Sequence, residues 1–111
     1  MGFTRACAAA DVPGDEALGV VIDGLAVAVA RDGDDFYAVH DQCSHANVPL
    51  SEGEVADCTI ECWLHGSTFD LKTGKPTILP ATEPIATFAV ELRGDDVYVD
   101  TETSLNGIRP A

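Results

Sequence analysis

The sequence predicts an all-β protein, and three observations carry that expectation. Strand-like segments are short and alternate large with small or polar side chains at a period of two. Turns rich in Gly and Asp separate them at hairpin spacing. No segment shows the 3.6-residue apolar repeat of an amphipathic helix.

The elements follow in order. Residues 19–22 and 25–30 flank Asp23-Gly24, a dipeptide suited to a two-residue type I′ turn. In the second strand Val27 and Val29 alternate with Ala26, Ala28 and Ala30, so one face carries the larger groups. The polar run from Arg31 to Asp35 then turns the chain into a strand over 36–40. Farther on, strands over 85–92 and 97–100 flank Arg93-Gly94-Asp95-Asp96. Phe88, Val90 and Leu92 share one face there, as do Val97 and Val99. The last stretch, 101–111, is polar with Gly and Pro and is expected to be a loose tail. Between these hairpins, residues 41–84 hold Gly, Pro and Ser turns and short strands, with all three His inside or beside them. This region reads as a loop-rich insert on a β scaffold, a usual place for function.

At 111 residues the length prior is one domain, taken here as 1–100 plus the tail. A core of that size is modest, so a bound metal group adds useful stability. Some 46% of residues are apolar, which argues against disorder. Six Lys and Arg face 19 Asp and Glu, a formal charge of −13. That balance excludes nucleic acid and an anionic membrane as partners, since phosphate contacts need Lys and Arg. The acidity suits docking on a basic protein patch, or simply maintains solubility. Residues 1–10 lack the apolar core of a signal peptide, and no run approaches the roughly 18 apolar residues of a spanning helix. The expected location is the cytoplasm. Thiols stay reduced there, so the four Cys read as ligands or buried thiols rather than disulfides.

Two short pairs carry the chemistry: Cys43-Ser44-His45 and Cys62-Trp63-Leu64-His65, with 16 residues between His45 and Cys62. Each begins with a thiolate donor, ends with an imidazole and runs into turn residues (Asn47 and Pro49; Gly66 and Ser67). Two loops that each offer one sulfur and one nitrogen can clamp a site from opposite sides. A tetrahedral zinc with two Cys and two His is one occupant. A binuclear iron cluster, with both Cys on one iron and both His on the other, is the second. Zinc fingers usually pair Cys with Cys and His with His across a helix, whereas here the order is Cys-His, Cys-His in a β context.

The pattern Cys43-x-His45-x16-Cys62-x-x-His65 resembles that of Rieske [2Fe–2S] proteins. With Ala46, Asn47, Gly66 and Ser67 around it, it is similar to the ferredoxin components of bacterial ring-hydroxylating dioxygenases, over nearly the whole chain. The resemblance implies antiparallel sheets forming a sandwich base, with a cluster-binding subdomain at about 41–84. It implies one [2Fe–2S] cluster on Cys43, His45, Cys62 and His65. It further implies a one-electron carrier, not itself an enzyme, that passes electrons from a flavin-dependent reductase to a terminal Rieske non-haem iron dioxygenase. The same stretch also resembles small Rieske proteins associated with iron–sulfur cluster assembly, which is the alternative role. A monomer is expected in either case.

Departures from the respiratory Rieske proteins inform the potential. Those carry an additional, disulfide-bonded Cys in each loop, where Val48 and Leu64 stand here. They place a Tyr where Phe69 stands, so one hydroxyl directed at a ligand sulfur is missing. Ser67 matches the family's serine and is expected to donate to a bridging sulfide. Hydrogen bonds to cluster sulfur favour the reduced state, which places the expected potential at the low end of the Rieske span, roughly −150 mV rather than +300 mV. Two imidazoles in place of two thiolates leave the oxidised cluster neutral rather than dianionic, which eases addition of an electron.

Trp63 and Leu64 sit between ligands and form an apolar docking collar, extended by Ala46 and Pro80; burial of Trp63 against the base is the plain alternative. Pro80, with Pro76 and Pro84, resembles the family's loop covering the cluster, or else only blocks strand pairing. His40 reads as structural or exposed. Cys58 is expected on an extended strand, sharing a face with Ile60 and Cys62 as a small buried residue, and Cys7 as equally plain.

Overall fold

The computed structural model describes residues 2–44, 48–64, 66–78 and 81–108. Ten strands form two antiparallel sheets. In chain order they are β1 (Thr4–Ala8), β2 (Leu18–Ile22), β3 (Leu25–Asp32), β4 (Asp35–His40), β5 (Val55–Ala56), β6 (Thr59–Glu61), β7 (Thr68–Asp70), β8 (Pro76–Ile78), β9 (Thr87–Arg93) and β10 (Asp96–Ser104). The base is a six-stranded sheet of order β1-β10-β9-β4-β3-β2, and the insert is a four-stranded sheet of order β5-β6-β7-β8. Edge strands β1 and β2 touch, so the base curls towards closure and leaves little edge open.

The expected hairpins are present. Asp23 and Gly24 both take positive φ (51° and 83°), as a type I′ turn requires, and β2 pairs with β3 from Leu18↔Val29 to Ile22↔Leu25. The other two base turns are tighter than expected: only Gly33-Asp34 and Gly94-Asp95 lie between paired strands. Val97 and Val99 are buried with Phe88, while Leu92, opposite Val97 at the strand end, is exposed.

The alternation in β3 becomes two faces of one strand, both buried. Val27 and Val29 join Ile22, Ala38, Phe88, Val97 and Val99 in the core of the base. Ala28 and Ala30 face the other way and join Val39, Leu50, Val55, Ile60, Phe69 and Leu71, which come from base and insert together. Alanines on that face let the smaller sheet approach closely. Each large apolar side chain so buried contributes about 1.5–3 kcal/mol.

Over 101–108 the tail departs from expectation, while 109–111 lie outside the described residues. Strand β10 runs on to Ser104, and Leu105 N–H donates to Thr87 O (2.7 Å). Asn106 donates through Nδ2 to Ile85 O (2.7 Å) and Thr73 O (2.9 Å). Polar composition suggested looseness, but a side-chain amide satisfying distant backbone carbonyls holds 101–108 in place.

Among the described residues, the Thr87 hydroxyl is the buried side-chain polar atom without a hydrogen-bond partner. A buried orphan costs free energy that an apolar group of the same shape does not. Thr87→Val should therefore raise stability by about 1 kcal/mol, read as a higher denaturation midpoint at unchanged slope.

Candidate metal centre

Three segments converge beside the insert. The first follows β4. Asp41 N–H donates to Ala26 O (3.0 Å), and its carboxylate accepts Ser51 N–H and Ser51 Oγ–H, both at 2.7 Å. These bonds tie the two ends of the loop, while Cys43 N–H reaches Val48 O (3.0 Å) across it. The second follows β6, where Cys62 N–H donates to Ser67 O (2.6 Å) and Gly66 N–H to Cys62 O (2.9 Å). That turn is closed by its own backbone. The third is the stretch 81–86 leading into β9. Ser44 Oγ–H donates to Glu83 O (2.6 Å), and Ala81 N–H donates to Ser67 Oγ (2.9 Å). One serine from each loop thus fastens that loop to the third segment.

Cys43 (2% exposed) and Cys62 (0%) lie in the same buried cluster, with Leu50, Ile60, Phe69 and Ala81. Ser67 is fully buried; its oxygen already accepts from Ala81, which leaves its proton to donate elsewhere. Trp63 (48%) and Leu64 (41%) project into solvent from the second turn, so Trp63 is not buried against the base. His45 and His65, with Ala46 and Pro80, lie outside the described residues. No set of three or more metal-ligating side chains occurs among the described residues, which include two of the four expected ligands. The donor chemistry fits a sulfur-bound group: two water-excluded thiols at the feet of two closed turns, beside a buried hydroxyl with a proton to give.

Other expectations sort themselves by burial. Cys7 is buried in the core of the base, and burial pushes its thiol pKa up, which keeps it neutral. Cys58 is not on a strand. It occupies, with Asp57, a two-residue turn between β5 and β6, both residues at positive φ (51° and 60°). Asp-Cys stands where Asp-Gly is the usual signal, so the turn was not visible in the sequence. Cys58 is half-buried and hydrogen-bonded to Tyr37, whose hydroxyl is pushed up to about 12 by burial and then by that bond. Pro76 opens β8, an edge strand, where a missing N–H is tolerated. The cysteines of the described residues form no disulfide.

Comparison with known proteins identifies the family. The model of the Rieske [2Fe–2S] domain matches residues 2–89, and the chain belongs to that family. A Rieske-type [2Fe–2S] cluster is accordingly its cofactor. Within the family, the 3-phenylpropionate/cinnamic acid dioxygenase ferredoxin subunit of Escherichia coli (strain K12) is 46% identical over 101 residues, covering 90% of this chain and 94% of that protein. The ferredoxin of carbazole 1,9a-dioxygenase from Nocardioides aromaticivorans IC177 superposes with a TM-score of 0.84 at 34% identity, over 89% of this chain and 97% of that one. A chain of the solved complex of reduced oxygenase and oxidized ferredoxin in carbazole 1,9a-dioxygenase matches with a TM-score of 0.81 and 40% identity, over 87% and 91% of the two chains.

His40 ends β4 as a buried residue, as the structural reading required. Burial lowers its pKa, and neighbouring Asp41 only partly offsets this. The folded chain therefore takes up the His40 proton at lower pH than the unfolded chain, whose value is near 6.5. Stability should be full above that value and fall as pH drops below it. Guanidinium unfolding at pH 7.5 and 5.5 should show a larger loss for wild type than for His40→Gln.

Proposed function

We propose that this chain is the one-electron carrier of a dioxygenase system, with its cluster held by Cys43, His45, Cys62 and His65. In this reading it accepts an electron from a flavin-dependent reductase and delivers it to a terminal Rieske non-haem iron oxygenase that hydroxylates aromatic rings. The observation that carries it is the pairing of two buried thiols in one apolar cluster with exposed Trp63 and Leu64 on the turn above them. The relatives named as dioxygenase ferredoxin subunits, and the neighbour solved in complex with its oxygenase, support the same assignment.

When bound, the cluster supplies a one-electron couple. The residues around it determine how that couple is used. Cys43 and Cys62 fix one side of the site in the protein interior and exclude water. His45 and His65, which follow Cys43 and Cys62 closely in the sequence, would supply the two nitrogen ligands. Exposed Trp63 and Leu64, next to Cys62 in the chain, would provide apolar contact to a partner, where a large aromatic anchor binds strongly. The formal charge of −13 gives long-range attraction to a basic patch on a partner. No helix among the described residues is long and apolar enough to cross a membrane, and the proposal places the protein in the cytoplasm as a monomer.

EPR of the dithionite-reduced protein tests the ligand set: a mixed His/Cys [2Fe–2S] signal is expected, and silence with bound zinc would refute it. Protein-film voltammetry should place the midpoint near the low end of the Rieske range. Ser67→Ala should lower it further by roughly 40–90 mV, the equivalent of about 1–2 kcal/mol of hydrogen bonding to the reduced cluster. Trp63→Ala should weaken oxygenase binding by about 1–2 kcal/mol, roughly five- to thirtyfold, with the midpoint unchanged. Stopped-flow reduction by the reductase should slow as salt is raised; rates indifferent to ionic strength would remove the steering role.

A further inference from the structure

Asn106 lies beyond the stretch that matches the family model, yet it makes more hydrogen bonds than any other side chain described. Nδ2 donates to Ile85 O (2.7 Å) and Thr73 O (2.9 Å). Oδ1 accepts from Thr87 N–H (3.3 Å), Ile108 N–H (3.2 Å) and Ser104 Oγ–H (3.2 Å). Both amide donors and the carbonyl are therefore used. The segments joined are 73–74, 85–87 and 104–108. They are drawn tighter by Ile85 N–H on Gly74 O (2.8 Å) and Leu105 N–H on Thr87 O (2.7 Å). Gly74 sits at φ +75°, and a Cβ there would fall 2.2 Å from Ile85 O and 2.7 Å from Asn106 Nδ2, so the junction has no room for a larger residue.

From this clamp the chain leads directly to the site. Ile85 is four residues from Ala81, whose N–H holds Ser67 Oγ, and two from Glu83, whose carbonyl holds Ser44 Oγ. Those serines belong to the loops of Cys62 and Cys43. We infer that Asn106 is a positioning residue for the cluster: it anchors one end of the strap 81–86, whose other end fixes the Ser67 hydroxyl. The inference rests on the ligand reading above. With the anchor removed, the strap shifts, the Ala81 bond no longer orients Ser67, and the hydroxyl would no longer be held to donate a hydrogen bond to the cluster. An electron-rich reduced cluster is then less favoured.

The test uses the loaded full chain. Asn106→Ala removes every bond; Asn106→Asp keeps the acceptor for Thr87 and Ile108 but cannot donate to Ile85 O or Thr73 O. Both should shift the midpoint negative, lowering the reduced-to-oxidised ratio at fixed poise by about tenfold, or about 59 mV for one electron. Ser104→Ala, which loses one bond to Oδ1 and leaves the strap tied, should keep the wild-type midpoint. Combined with Ser67→Ala, the Asn106 substitution should add nothing, because both act through one hydroxyl. Unchanged midpoints in both Asn106 variants, or additive shifts in the double variant, would overturn the inference. Hydrogen-exchange mass spectrometry of the wild type needs no variant: peptides over 81–86 and 104–108 should open together, and faster, independent opening of 81–86 would also overturn it. A wild type without the mixed-ligand EPR signal would bring down the ligand reading itself; a normal wild-type signal with unshifted variants removes only the role of Asn106.

Discussion

Strand β3 is covered on both faces, and the rest of the structure depends on that double burial. Residues 27–30 are fully excluded from solvent, the valines inside the curled base and the alanines beneath the insert. A chain of this length buries too little surface for two independent cores. Sharing one strand between two clusters lets each borrow the other's rigidity. The loops carrying Cys43 and Cys62 are thereby set against a wall that is itself packed from behind.

On that wall, short-range hydrogen bonds do the positioning. Asp41 ties the first loop to Ser51, the Cys62–Ser67 turn closes on itself, and Ser44 and Ser67 reach to a common third segment. None of these bonds is long or water-mediated. Electron transfer benefits from such a frame, because a site that does not rearrange when its charge changes loses little energy to reorganisation. In the proposed role the acidic exterior acts at longer range and concerns encounter, while Trp63 and Leu64 act only on contact.

Much of this was legible in the sequence because it is local. A type I′ turn at Asp23-Gly24 needs two adjacent residues, and the two Cys-x-His and Cys-x-x-His pairs need only a few each. The two-faced pattern of β3 was visible as Val-Ala alternation, although its second buried face was not, since alanine alone does not declare what covers it. Cys58 was misplaced because Asp57-Cys58 forms a turn that Asp-Gly would have announced. The ordering of 101–108 was missed for a different reason: Asn106 finds its carbonyl partners 21 and 33 residues away. Of that contact the sequence holds only an Asn-Gly pair, which reads as an ordinary turn. His45, His65 and Pro80 lie outside the described residues, so the two thiols of the proposed site are what the fold displays.

The depth of the two thiols has a consequence for how the protein matures. Cys43 and Cys62 sit at the floor of an apolar cluster that also contains Leu50, Ile60 and Phe69. A donor of iron and sulfide cannot reach them while that cluster is closed. With these two thiols as the cluster's ligands, as proposed, loading would either precede the final docking of the loops or wait for them to open. In the first case a cell short of iron would accumulate not a finished carrier lacking its cofactor but an unclosed chain, exposed to quality-control proteases at the very segments proposed to hold the cluster.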